Sequence, residues 1–546
     1  MASSSNLDAQ YQQTSGATVP VWVHKDKFAN RPKFNPLTAD TQADVCIIGA
    51  GIAGLSIAQQ LVSRGKSVVL LEAREVLSGE TGRTSGHLAS ALDDGYVEIE
   101  NKHGREGAKA AADSHVWALR HVGQVAKKLD IDCEYRIVPG YQVSQYPRGD
   151  KGHDDEVKEL KDEVKLAKEL GLDVEFREGF AIKGWDGMID QRDAAVFNGQ
   201  AAFHPTLYLL GLLKWLKDQP NFQCFTNTRM MAAQEVGGIG SSLGFGDKTV
   251  EVKTEAGHIV RCDYAVEATN VPLQKLSVIV ELAYFRTYAI AIRIPRGSVE
   301  DCFIYDQAAL YKYVRMTACD DKDEYMIVGG CDHKVGQESA AGRYEELEAW
   351  TRERFPQAGS VDYKWSGQVV EPEDYVAFIG KNQGQDRVFI VTGDSGNGLT
   401  HGVLAGRLIA DEIEGKGADS ETALWATLYN PKRVLSIAKK APSLIAHDVQ
   451  VNLQYKRFLQ SDIQDIEDLA PGSGGVLNPT LGKPVAVYKD ENGKVTKLSA
   501  LCPHLKGVVC WNGSEKSWDC PIHGSRFAQN GTCVMGPAKA GLQPVE

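Results

Sequence analysis

The stretch that decides the fold is Asp44-Val45-Cys46-Ile47-Ile48-Gly49-Ala50-Gly51-Ile52-Ala53-Gly54. Its first residues are mostly apolar and β-branched, which is typical of a short, buried parallel strand. A helical pattern continues through Val62, and a second apolar run at residues 67–71 ends at Glu72. Strand, glycine-rich turn, helix, strand and acid therefore occur in the order of a dinucleotide-binding βαβ unit.

Each glycine of such a unit has its own role. Gly49 permits the tight turn, Gly51 lets the backbone approach a pyrophosphate, and Gly54 allows the helix to pack against the strand. The helix N-terminus presents N–H groups to the phosphates. Glu72 stands where a carboxylate accepts hydrogen bonds from ribose hydroxyls. The alternative is a glycine-rich turn that binds no nucleotide, and the completeness of the unit argues against it.

The residues after Glu72 distinguish FAD from NAD. Arg74 precedes a loop rich in Gly, Ser and Thr, residues 78–87, where a simple NAD domain would continue with a helix. This loop resembles the segment that runs under the flavin in the D-amino-acid-oxidase-like family, which includes glycine oxidase and sarcosine oxidase. The resemblance implies that Arg74, Thr81, Arg83, Thr84 and His87 contact FAD. Some relatives link FAD covalently through a His in this loop, although His87 is shifted relative to that position.

A second flavin anchor is predicted far downstream. A strand pattern at residues 387–394 is followed by Gly396-Asn397-Gly398-Leu399-Thr400-His401-Gly402, which opens a helix running to about Glu414. This resembles the C-terminal FAD signature of the same family, whose helix N-terminus stabilises negative charge on the reduced ring. The resemblance assigns to FAD Gly393, Asp394, Gly398, Leu399 and Thr400, and also Thr269 at the end of a further strand. His401 is a candidate catalytic residue or a helix-capping one.

The region between the anchors, about residues 100–385, is predicted to insert a substrate domain. Residues 283–295 and 311–330 alternate apolar side chains as antiparallel strands do, and the resemblance implies that this sheet roofs the flavin. Arg286, Tyr288 and Arg293 are candidate substrate contacts by position alone. Gln368 stands where relatives usually carry Arg, which puts a carboxylate-bearing, amino-acid-like substrate in doubt.

A second redox site is predicted near the C-terminus, at Cys502-Pro503-His504 and Cys520-Pro521-Ile522-His523. Cys502, His504, Cys520 and His523 offer two sulfurs to one iron and two nitrogens to another, which is the ligand set of a Rieske [2Fe-2S] centre. Zinc is the alternative, although zinc sites usually group like ligands in the sequence. The flanking residues, 518–527 and 536–538, closely resemble the Rieske domain pattern.

Residues beside these ligands predict a low redox potential for the cluster. Respiratory Rieske proteins add a disulfide at positions that here resemble Lys506 or Gly507 and Ile522. Ser525 keeps a hydroxyl that can bond a cluster sulfur, whereas Phe527 lacks the hydroxyl that a Tyr would donate. We therefore predict a potential below the respiratory end of the roughly −150 to +300 mV Rieske range.

Composition limits the class of protein. The 546 residues carry a formal charge of −12 without a basic stripe, which argues against nucleic acid as a partner. The sequence shows no apolar run of about eighteen residues and no charged-then-apolar signal at its N-terminus. Its 11 cysteines are scattered outside the C-terminal motif, as suits a reducing compartment. We therefore expect a cytoplasmic protein without a membrane span.

Together these patterns predict an α/β FAD-binding Rossmann-like domain with an inserted antiparallel β-sheet substrate domain, plus a C-terminal all-β Rieske domain. The predicted boundaries are a polar extension at 1–43, the FAD-dependent oxidoreductase at 44–430, a helical linker at 431–460 and the Rieske domain at 461–546. Residues 1–16 are expected to be disordered because they are too polar to bury.

The two cofactors suggest one overall reaction. FAD accepts two electrons, whereas a [2Fe-2S] cluster takes one at a time. We expect the chain to oxidise a small organic substrate and pass electrons singly to an external acceptor, either oxygen or a redox protein. By the resemblance, the substrate bond is a C–N bond of an amine. The alternatives are a flavin and Rieske reductase that serves a partner oxygenase, and a non-enzymatic redox sensor.

Overall fold

The computed structural model describes residues 10–23, 30–187, 193–237, 248–274, 278–338, 340–416, 421–433, 454–479 and 483–545. After a helical turn at residues 10–13, the helices are α1 (Ile52–Ser63), α2 (Gly95–Lys128), α3 (Lys151–Glu169), α4 (Pro205–Lys217), α5 (Arg343–Arg354), α6 (Gly398–Ile413) and α7 (Ala423–Leu428). Within these ranges, no helix combines the length and the apolar character needed to cross a membrane.

The strands fall into four sheets. They are β1 (Thr41–Ile48), β2 (Val68–Leu71), β3 (His87–Leu88), β4 (Arg136–Val143), β5 (Val174–Arg177), β6 (Ala194–Ala202), β7 (Phe222–Phe225), β8 (Met230–Val236), β9 (Thr249–Thr254), β10 (Ile259–Asn270), β11 (Leu282–Pro295), β12 (Phe303–Asp306), β13 (Tyr313–Ala318), β14 (Asp323–Lys334), β15 (Val361–Pro372), β16 (Phe378–Lys381), β17 (Val388–Thr392), β18 (Ser473–Leu477), β19 (Val485–Lys489), β20 (Val495–Ser499), β21 (Cys510–Asn512), β22 (Ser517–Asp519), β23 (Arg526–Ala528) and β24 (Cys533–Met535).

The first sheet is the dinucleotide-binding one. Its strands run in the order β16-β17-β10-β1-β2-β7, with β9 and β8 attached beside β10. The pairs β7-β2, β2-β1, β1-β10 and β10-β17 are parallel. The fully buried run at the end of β1 explains its central place, because a parallel strand is covered on both faces. The predicted sequence of β1, turn, α1 and β2 is therefore confirmed.

The second sheet is the predicted insertion. It has nine strands, in the order β15-β11-β14-β13-β12-β4-β6-β3, with β5 on β6. β11 pairs antiparallel with β14 on one side and with β15 on the other. The alternating patterns predicted at residues 283–295 and 311–330 thus correspond to β11, β13 and β14. The fold class predicted for this region is confirmed.

The C-terminal unit is all β, as predicted. A three-stranded sheet, β18-β19-β20, and a four-stranded sheet, β21-β22-β23-β24, enclose a separate apolar core. Trp518 and Phe527 are completely buried in this core, which also holds the two predicted cysteine ligands. The ligand loops are therefore held by packed strands on both sides.

The expectation that residues 1–16 are disordered is wrong for residues 10–16. Tyr11, Thr14 and Ser15 are buried. The Tyr11 hydroxyl donates to the carbonyls of Glu515 and Lys516, at 2.9 Å each. Polar residues can be buried here because the two large domains supply a partner for each. This N-terminal segment, residues 10–23, lies between the flavin domain and the C-terminal domain.

The predicted helical linker lies mostly outside the described residues. Its described ends, Pro431–Arg433 and Gln454–Leu459, are short 3-10 turns. Arg433 is fixed to the flavin domain through Asp374, with nitrogen–oxygen distances of 2.7 and 3.0 Å. The first domain therefore holds the linker at its start.

Candidate functional site

One long cavity passes between the two large sheets. Its walls are the β1–α1 turn, the loop at residues 79–87, the end of β10, the start of α6 and the inner face of the nine-stranded sheet. The C-terminal domain closes one side with Val534, Met535 and Gly536. All three domains therefore meet at this cavity.

The β1–α1 turn has the geometry of a phosphate cradle. Gly49 has a φ of +108°, and a Cβ added there would lie 2.4 Å from the Ala268 carbonyl oxygen. A Cβ on Gly54 would lie 1.9 Å from the Gly49 carbonyl oxygen, so only glycine allows α1 to pack this closely. Helix α1 begins after Gly51 without a side-chain cap. The Ile52 N–H donates to Thr81 Oγ1 at 3.1 Å, and N–H groups at a helix start suit an anion.

The acid at the end of β2 completes this cradle. The Glu72 carboxylate accepts hydrogen bonds from the N–H groups of Ala50 and Arg74, at 3.0 Å each. This fixes the carboxylate at the cavity wall beside the glycine turn. On the facing wall, the side-chain nitrogen of Asn270 is buried without a protein partner. A hydrogen-bonding dinucleotide fits these groups.

Most of the predicted FAD contacts line this cavity. They are Gly49, Gly51, Glu72, Arg74, Thr81, Arg83, Thr84, His87, Thr269, Asp394, Gly398 and Leu399. Gly54, Gly393 and Thr400 are not among the lining residues and shape the backbone instead. The Thr400 hydroxyl, for example, donates to the Asn397 carbonyl at 2.9 Å. Direct contact of each residue with FAD remains a prediction.

The guanidinium groups of Arg74 and Arg83 are engaged by protein partners. Arg74 donates to the carbonyls of Tyr11, Thr14 and Ser78. Arg83 donates to the Ser366 carbonyl at 2.6 Å and forms a fully buried ion pair with Glu515. Their charges hold the N-terminal segment and the C-terminal domain in place. Both residues still line the cavity, and their contact with FAD stays a prediction.

Two histidines line the cavity in neutral form. Burial lowers the pKa of His87 to about 3, and its Nε2 lies 3.1 Å from the Val314 carbonyl oxygen. Burial also holds the pKa of His401 well below its ordinary value. His401 Nδ1 donates to the Asp394 carbonyl at 3.0 Å, which ties α6 to the turn before it. His401 thus supports the second flavin anchor, and a covalent link through His87 stays a prediction.

The three predicted substrate contacts of β11 point elsewhere. Thr287 lines the cavity, whereas its neighbours Arg286 and Tyr288 are completely buried away from it. Successive side chains of a strand point to opposite faces. The Tyr288 hydroxyl lies 2.9 Å from His333 Nε2. Arg293 lies at the surface and pairs with Asp320, Asp323 and Asp362, so the prediction is wrong for all three.

The sequence analysis missed the side chains that do face the cavity from the nine-stranded sheet. They are Thr287, Tyr305, Tyr311, Tyr313 and Asp332, and Asp93 lies beside them; Gln368, which the sequence had singled out, lines the same cavity. The Tyr311 hydroxyl donates to Asp93 Oδ2 at 2.6 Å, and the hydroxyls of Thr287 and Tyr313 are 2.7 Å apart. The available signal was the two-residue spacing of Tyr311 and Tyr313, at and just before the start of β13, which suits side chains on one face of an extended chain.

The predicted cluster ligands come together as two pairs. The rings of His504 and His523 have centroids 5.1 Å apart. A hydrogen bond from the Cys520 thiol, helped by the Ser525 hydroxyl, lowers the pKa of Cys502 to about 7. The described residues contain no group of three His, Cys, Asp or Glu side chains able to hold one metal ion. Two pairs are what a two-iron Rieske cluster requires.

The positions predicted for a respiratory-type disulfide face each other but hold no cysteine. A Cβ added at Gly507 would lie 2.4 Å from Ile522 Cγ1. Cys510 and Cys533, the nearby cysteines, are free thiols. Cys510 Sγ donates to the Gly336 carbonyl at 2.8 Å instead. The prediction of a low redox potential for the cluster therefore rests on two positions, Gly507 and Ile522, that cannot form a disulfide.

The loop that carries His523 packs directly on the cavity wall. Gln368 lines the cavity, and its side-chain nitrogen donates to the Gly524 carbonyl at 3.3 Å. The ring of Tyr284, on β11, meets the ring of His523 edge to face, with centroids 6.1 Å apart. The two predicted redox sites are thus separated by the side chains of two strands.

A buried network of charges holds this arrangement. Glu515 is completely buried and accepts from Arg83, from Ser366 Oγ at 2.6 Å and from Thr18 Oγ1 at 2.7 Å. Arg526 pairs with Asp519 at 3.2 Å and donates to the Ser15 carbonyl at 2.8 Å. Opposite charges and hydrogen bonds offset the cost of burial. The C-terminal domain, the flavin domain and the N-terminal segment therefore form one packed interface.

Comparison with protein families agrees with this geometry. Residues 44–412, more than half of the chain, match the family described as FAD dependent oxidoreductase. Residues 462–546 match the Rieske [2Fe-2S] domain. These matches favour FAD over NAD in the cavity, and a [2Fe-2S] cluster over zinc between the ligand pairs.

Several relatives and solved structures cover most of the chain. YhfW of Bacillus subtilis (strain 168), whose name refers to a Rieske 2Fe-2S iron-sulfur protein, is 27% identical over 521 residues, which are 94% of this chain and 96% of YhfW. Gamma-glutamylputrescine oxidoreductase of Escherichia coli (strain K12) is 23% identical over 70% of this chain and 86% of its own. The crystal structure of glycine oxidase from Geobacillus kaustophilus covers 72% of this chain and 98% of its own, with a TM-score of 0.55 and 15% identity.

Proposed function

We propose, from the premise that the chain belongs to the FAD dependent oxidoreductase family and ends in a Rieske [2Fe-2S] domain, that it oxidises a small amine at a C–N bond. In this proposal electrons leave singly through the cluster to an external acceptor. The chain is an oxidoreductase by its family. The substrate bond and the route of the electrons are the proposed part.

The observation that carries the proposal is the contact between Gln368 and Gly524. Gln368 belongs to the cavity wall, and Gly524 follows the cluster ligand His523 in the chain. Electron transfer between cofactors requires that they be close. A domain fused only by a linker would not bury its ligand loop against the cavity of its neighbour.

The chain's residues would hold the two groups at separate places. The β1–α1 turn and Glu72 would hold the dinucleotide half of FAD, and the start of α6 would face the flavin. Cys502, Cys520, His504 and His523 would hold the cluster. When bound, FAD supplies two-electron chemistry and the cluster supplies one-electron chemistry.

In the proposal, the bound molecules and the buried side chains of the wall together exclude water from the cavity. Tyr305 and Tyr313 are buried and line it from the sheet side, and Met535 is buried and lines it from the C-terminal domain. Exclusion of water strengthens every electrostatic contact that the cavity makes with a bound molecule. It also protects a reactive C=N product from hydrolysis before release.

The relatives support an amine as the substrate. One relative is named for gamma-glutamylputrescine, and the solved structure that shares the fold is a glycine oxidase. The names of both refer to compounds with a C–N bond. Because the shared identity is low, the names support a class of bond and not a particular compound.

The outer side of the cluster offers an exit for electrons. His504 is only half-buried, and the neighbouring Leu505 is 51% exposed. His523, in contrast, is buried against the flavin domain. In the proposal, one imidazole faces the electron source and the other faces an acceptor in solution, either oxygen or a redox protein.

The test compares two reductants in the absence of oxygen. A panel of small amines should bleach the flavin, and NADH should not. Cys520→Ser, which removes a cluster ligand, should retain bleaching but lose most reduction of a one-electron acceptor such as ferricyanide. Cys319→Ser is the control, because Cys319 is a partly exposed free cysteine that neither lines the cavity nor belongs to the cluster ligands, and it should retain both activities.

Other outcomes point to the rival functions. Bleaching by NADH alone would exclude amine oxidation and favour a reductase that serves a partner oxygenase. If neither the amines nor NADH bleach the flavin, and if binding of a partner protein changes with the redox potential of the solution, a redox sensor would be favoured.

A further inference from the structure

The sheet-side end of the cavity is rich in acidic groups. Asp93 and Asp332 line it, and Thr287 and Tyr311 line it beside them. Asp93 is held by the Tyr311 hydroxyl at 2.6 Å. Asp394 lines the cavity at the start of the α6 turn and acts electrostatically on the same groups. This end therefore carries several carboxylates around one space.

Three buried polar atoms of lining residues at this end have no protein partner, and one of them is Asp332 Oδ1. The hydroxyl of Tyr305, a residue 8% exposed, makes no hydrogen bond, although it lines the cavity. The side-chain oxygen of Gln368, which is 4% exposed, also lacks a partner. Buried polar atoms are normally satisfied. All three atoms can accept a hydrogen bond, which is a sign that a ligand with donors completes the site.

The arginines that line the cavity are already engaged, whereas the buried Arg286 behind the sheet lacks partners for two of its nitrogens. Among the described lining residues, the basic ones are Arg74, Arg83 and Arg229, and Arg229 donates to the Cys533 carbonyl at 3.0 Å. Arg74 and Arg83 bond the N-terminal segment and Glu515, as shown above. Lys312, whose charge acts on Asp332, does not line the cavity and pairs with Glu346 at 3.1 Å. No cation of the lining set therefore neutralises Asp93 and Asp332.

From this arrangement we infer that the sheet-side end is a subsite for the ammonium group of a cationic substrate that carries no carboxylate beside it. Asp93 and Asp332 supply the counter-charge, and Tyr305 and Gln368 supply acceptors. This inference rests on the proposed function because it names the substrate class of the same cavity. The inference also gives a physical basis for the glutamine at position 368. A substrate carboxylate bound at this end of the cavity would lie close to Asp93 and Asp332, so an arginine at position 368 to bind it is not needed.

The aromatic side chains of the same end suit a cation as well. Tyr305 and Tyr313 flank the ring of His87, with centroid distances of 5.4 and 5.5 Å. Tyr311 packs on Tyr313 at 5.6 Å. Faces of aromatic rings attract ammonium groups, by more when water is excluded. A carboxylate ligand gains nothing from such faces and is repelled by the acids.

The charge state of the acids supports the inference. Asp93 is exposed at the cavity, where partial loss of solvation raises its pKa to about 6, and burial together with Asp93 and Glu371 raises the pKa of Asp332 to about 7. Carboxylates that lack a counter-charge hold their protons in this way. A bound cation would favour their charged form. The acids are thus arranged for a positive charge that the protein does not supply.

The test measures binding by calorimetry on the FAD-loaded protein. The probe is tetramethylammonium, a cation that has no N–H bond and no free electron pair to be oxidised. Pivalate, a carboxylate of similar shape, is its matched anion. We expect tetramethylammonium to bind and pivalate not to bind. Asp93→Asn and Asp332→Asn should each weaken tetramethylammonium at least about tenfold, since each removes one nearby opposite charge.

Asp113→Asn is the matched control. Asp113 is an exposed acid of α2 that pairs with Lys109, so its substitution should leave the affinity unchanged. Retention of bound FAD by each variant shows that the variant has folded. If either Asp93→Asn or Asp332→Asn does not fold, the other variant still tests the inference. Equal or tighter binding of pivalate, no binding of tetramethylammonium, or unchanged affinity in both cavity variants would each overturn the inference.

The two proposals can fail separately. If tetramethylammonium binds as expected but no amine reduces the flavin, the cationic subsite stands and amine oxidation is excluded. If carboxylate-bearing amino acids reduce the flavin while tetramethylammonium does not bind, amine oxidation stands and the cationic subsite is excluded.

Discussion

At the scale of single residues, Glu515 holds the interface together. Burial acts to raise the pKa of this carboxyl, but Arg83 and Arg526 hold the pKa below its ordinary value. The charged form is therefore the stable one in the folded protein. By the linkage between protonation and folding, its contribution is present at neutral pH and is lost as the pH falls below the ordinary range of a glutamate.

We predict that Glu515→Gln destabilises the protein by about 3–5 kcal/mol, because it leaves the Arg83 guanidinium buried without its counter-charge. Denaturant unfolding of the FAD-loaded protein measures this. Asp113→Asn, which breaks an exposed pair, should change the free energy of unfolding by less than about 0.5 kcal/mol. A loss below about 1 kcal/mol for Glu515→Gln would show that the pair is not important to the fold.

The cavity acids predict how cation binding depends on pH. Asp93 and Asp332 lose their protons with pKa values of about 6 and about 7. Because only the charged carboxylates attract a cation, the affinity for tetramethylammonium should rise from pH 5 to pH 8. Asp332→Asn should remove the upper part of the rise. An affinity that is independent of pH over this range would contradict the role of these acids.

Other charged groups act electrostatically on the cavity acids and shape this rise. They are Asp94, with a pKa raised to about 8 by burial, Glu371 and Asp394, each raised to about 7 by burial, and the lysines Lys102, Lys312 and Lys334, which act in the opposite direction. The rise should therefore be broader than that of a single carboxylate.

Individual site residues differed in how far the sequence could predict them. Gly49, Gly54 and Glu72 could be placed because their roles follow from a local pattern. Arg286 and Tyr288 could not, since the pairing of β11 with β14 shifts its register between them. Such a shift changes which residues of a strand face the cavity. Asp93 and Asp332 are far apart in sequence, and only the folded sheet brings them together.

At the scale of elements, local patterns predicted β1, α1, β2, β17 and α6 to within a few residues. Each carries its own signal, either a buried apolar run or a glycine turn at a helix start. The N-terminal segment at residues 10–23 could not be predicted, since its polar side chains are satisfied only by other elements. Arg74, Arg83 and Glu515 supply those partners.

The loop after His523 makes an element-scale prediction. Gly524 has a φ of +67°, and a Cβ added there would lie 2.4 Å from the Gln368 side-chain nitrogen and 2.9 Å from the Tyr284 ring. Gly524→Ala should therefore displace the ligand loop from the cavity wall. We expect a loss of about 2–4 kcal/mol of stability from backbone strain and overpacking and slower reduction of the cluster than of the flavin.

Gly493→Ala is the control for this loop. Gly493 also has a positive φ, of +83°, but a Cβ added there meets nothing within 4 Å. The strain alone should cost about 1 kcal/mol and leave the rate of cluster reduction unchanged. Equal effects of the two substitutions would show that the contact of Gly524 with Gln368 has no part in electron transfer.

At the scale of the whole molecule, the two redox domains form one packed unit rather than two domains on a flexible tether. Buried ion pairs, the N-terminal segment and the His523 loop all join the C-terminal domain to the flavin domain. The sequence predicted both domains because each has a distinct motif. It could not predict their interface, which depends on contacts between residues far apart in the chain.

The potential of the cluster tests this whole-molecule account. We expect a midpoint below about +200 mV, within the lower part of the Rieske range, because Gly507 and Ile522 replace a disulfide and Phe527 lacks a hydroxyl. A redox titration followed by electron paramagnetic resonance measures it. A midpoint above about +200 mV would show that the missing disulfide and hydroxyl do not set the potential.

The central claim is that electrons from an amine reach the cluster through the flavin. The most direct test mixes the FAD-loaded, cluster-loaded protein with an amine in the absence of oxygen and follows both groups in the same sample. The account predicts that the flavin absorption falls first and that the paramagnetic signal of the reduced cluster then rises. A flavin that bleaches while the cluster stays oxidised, at a potential that permits its reduction, would contradict the account.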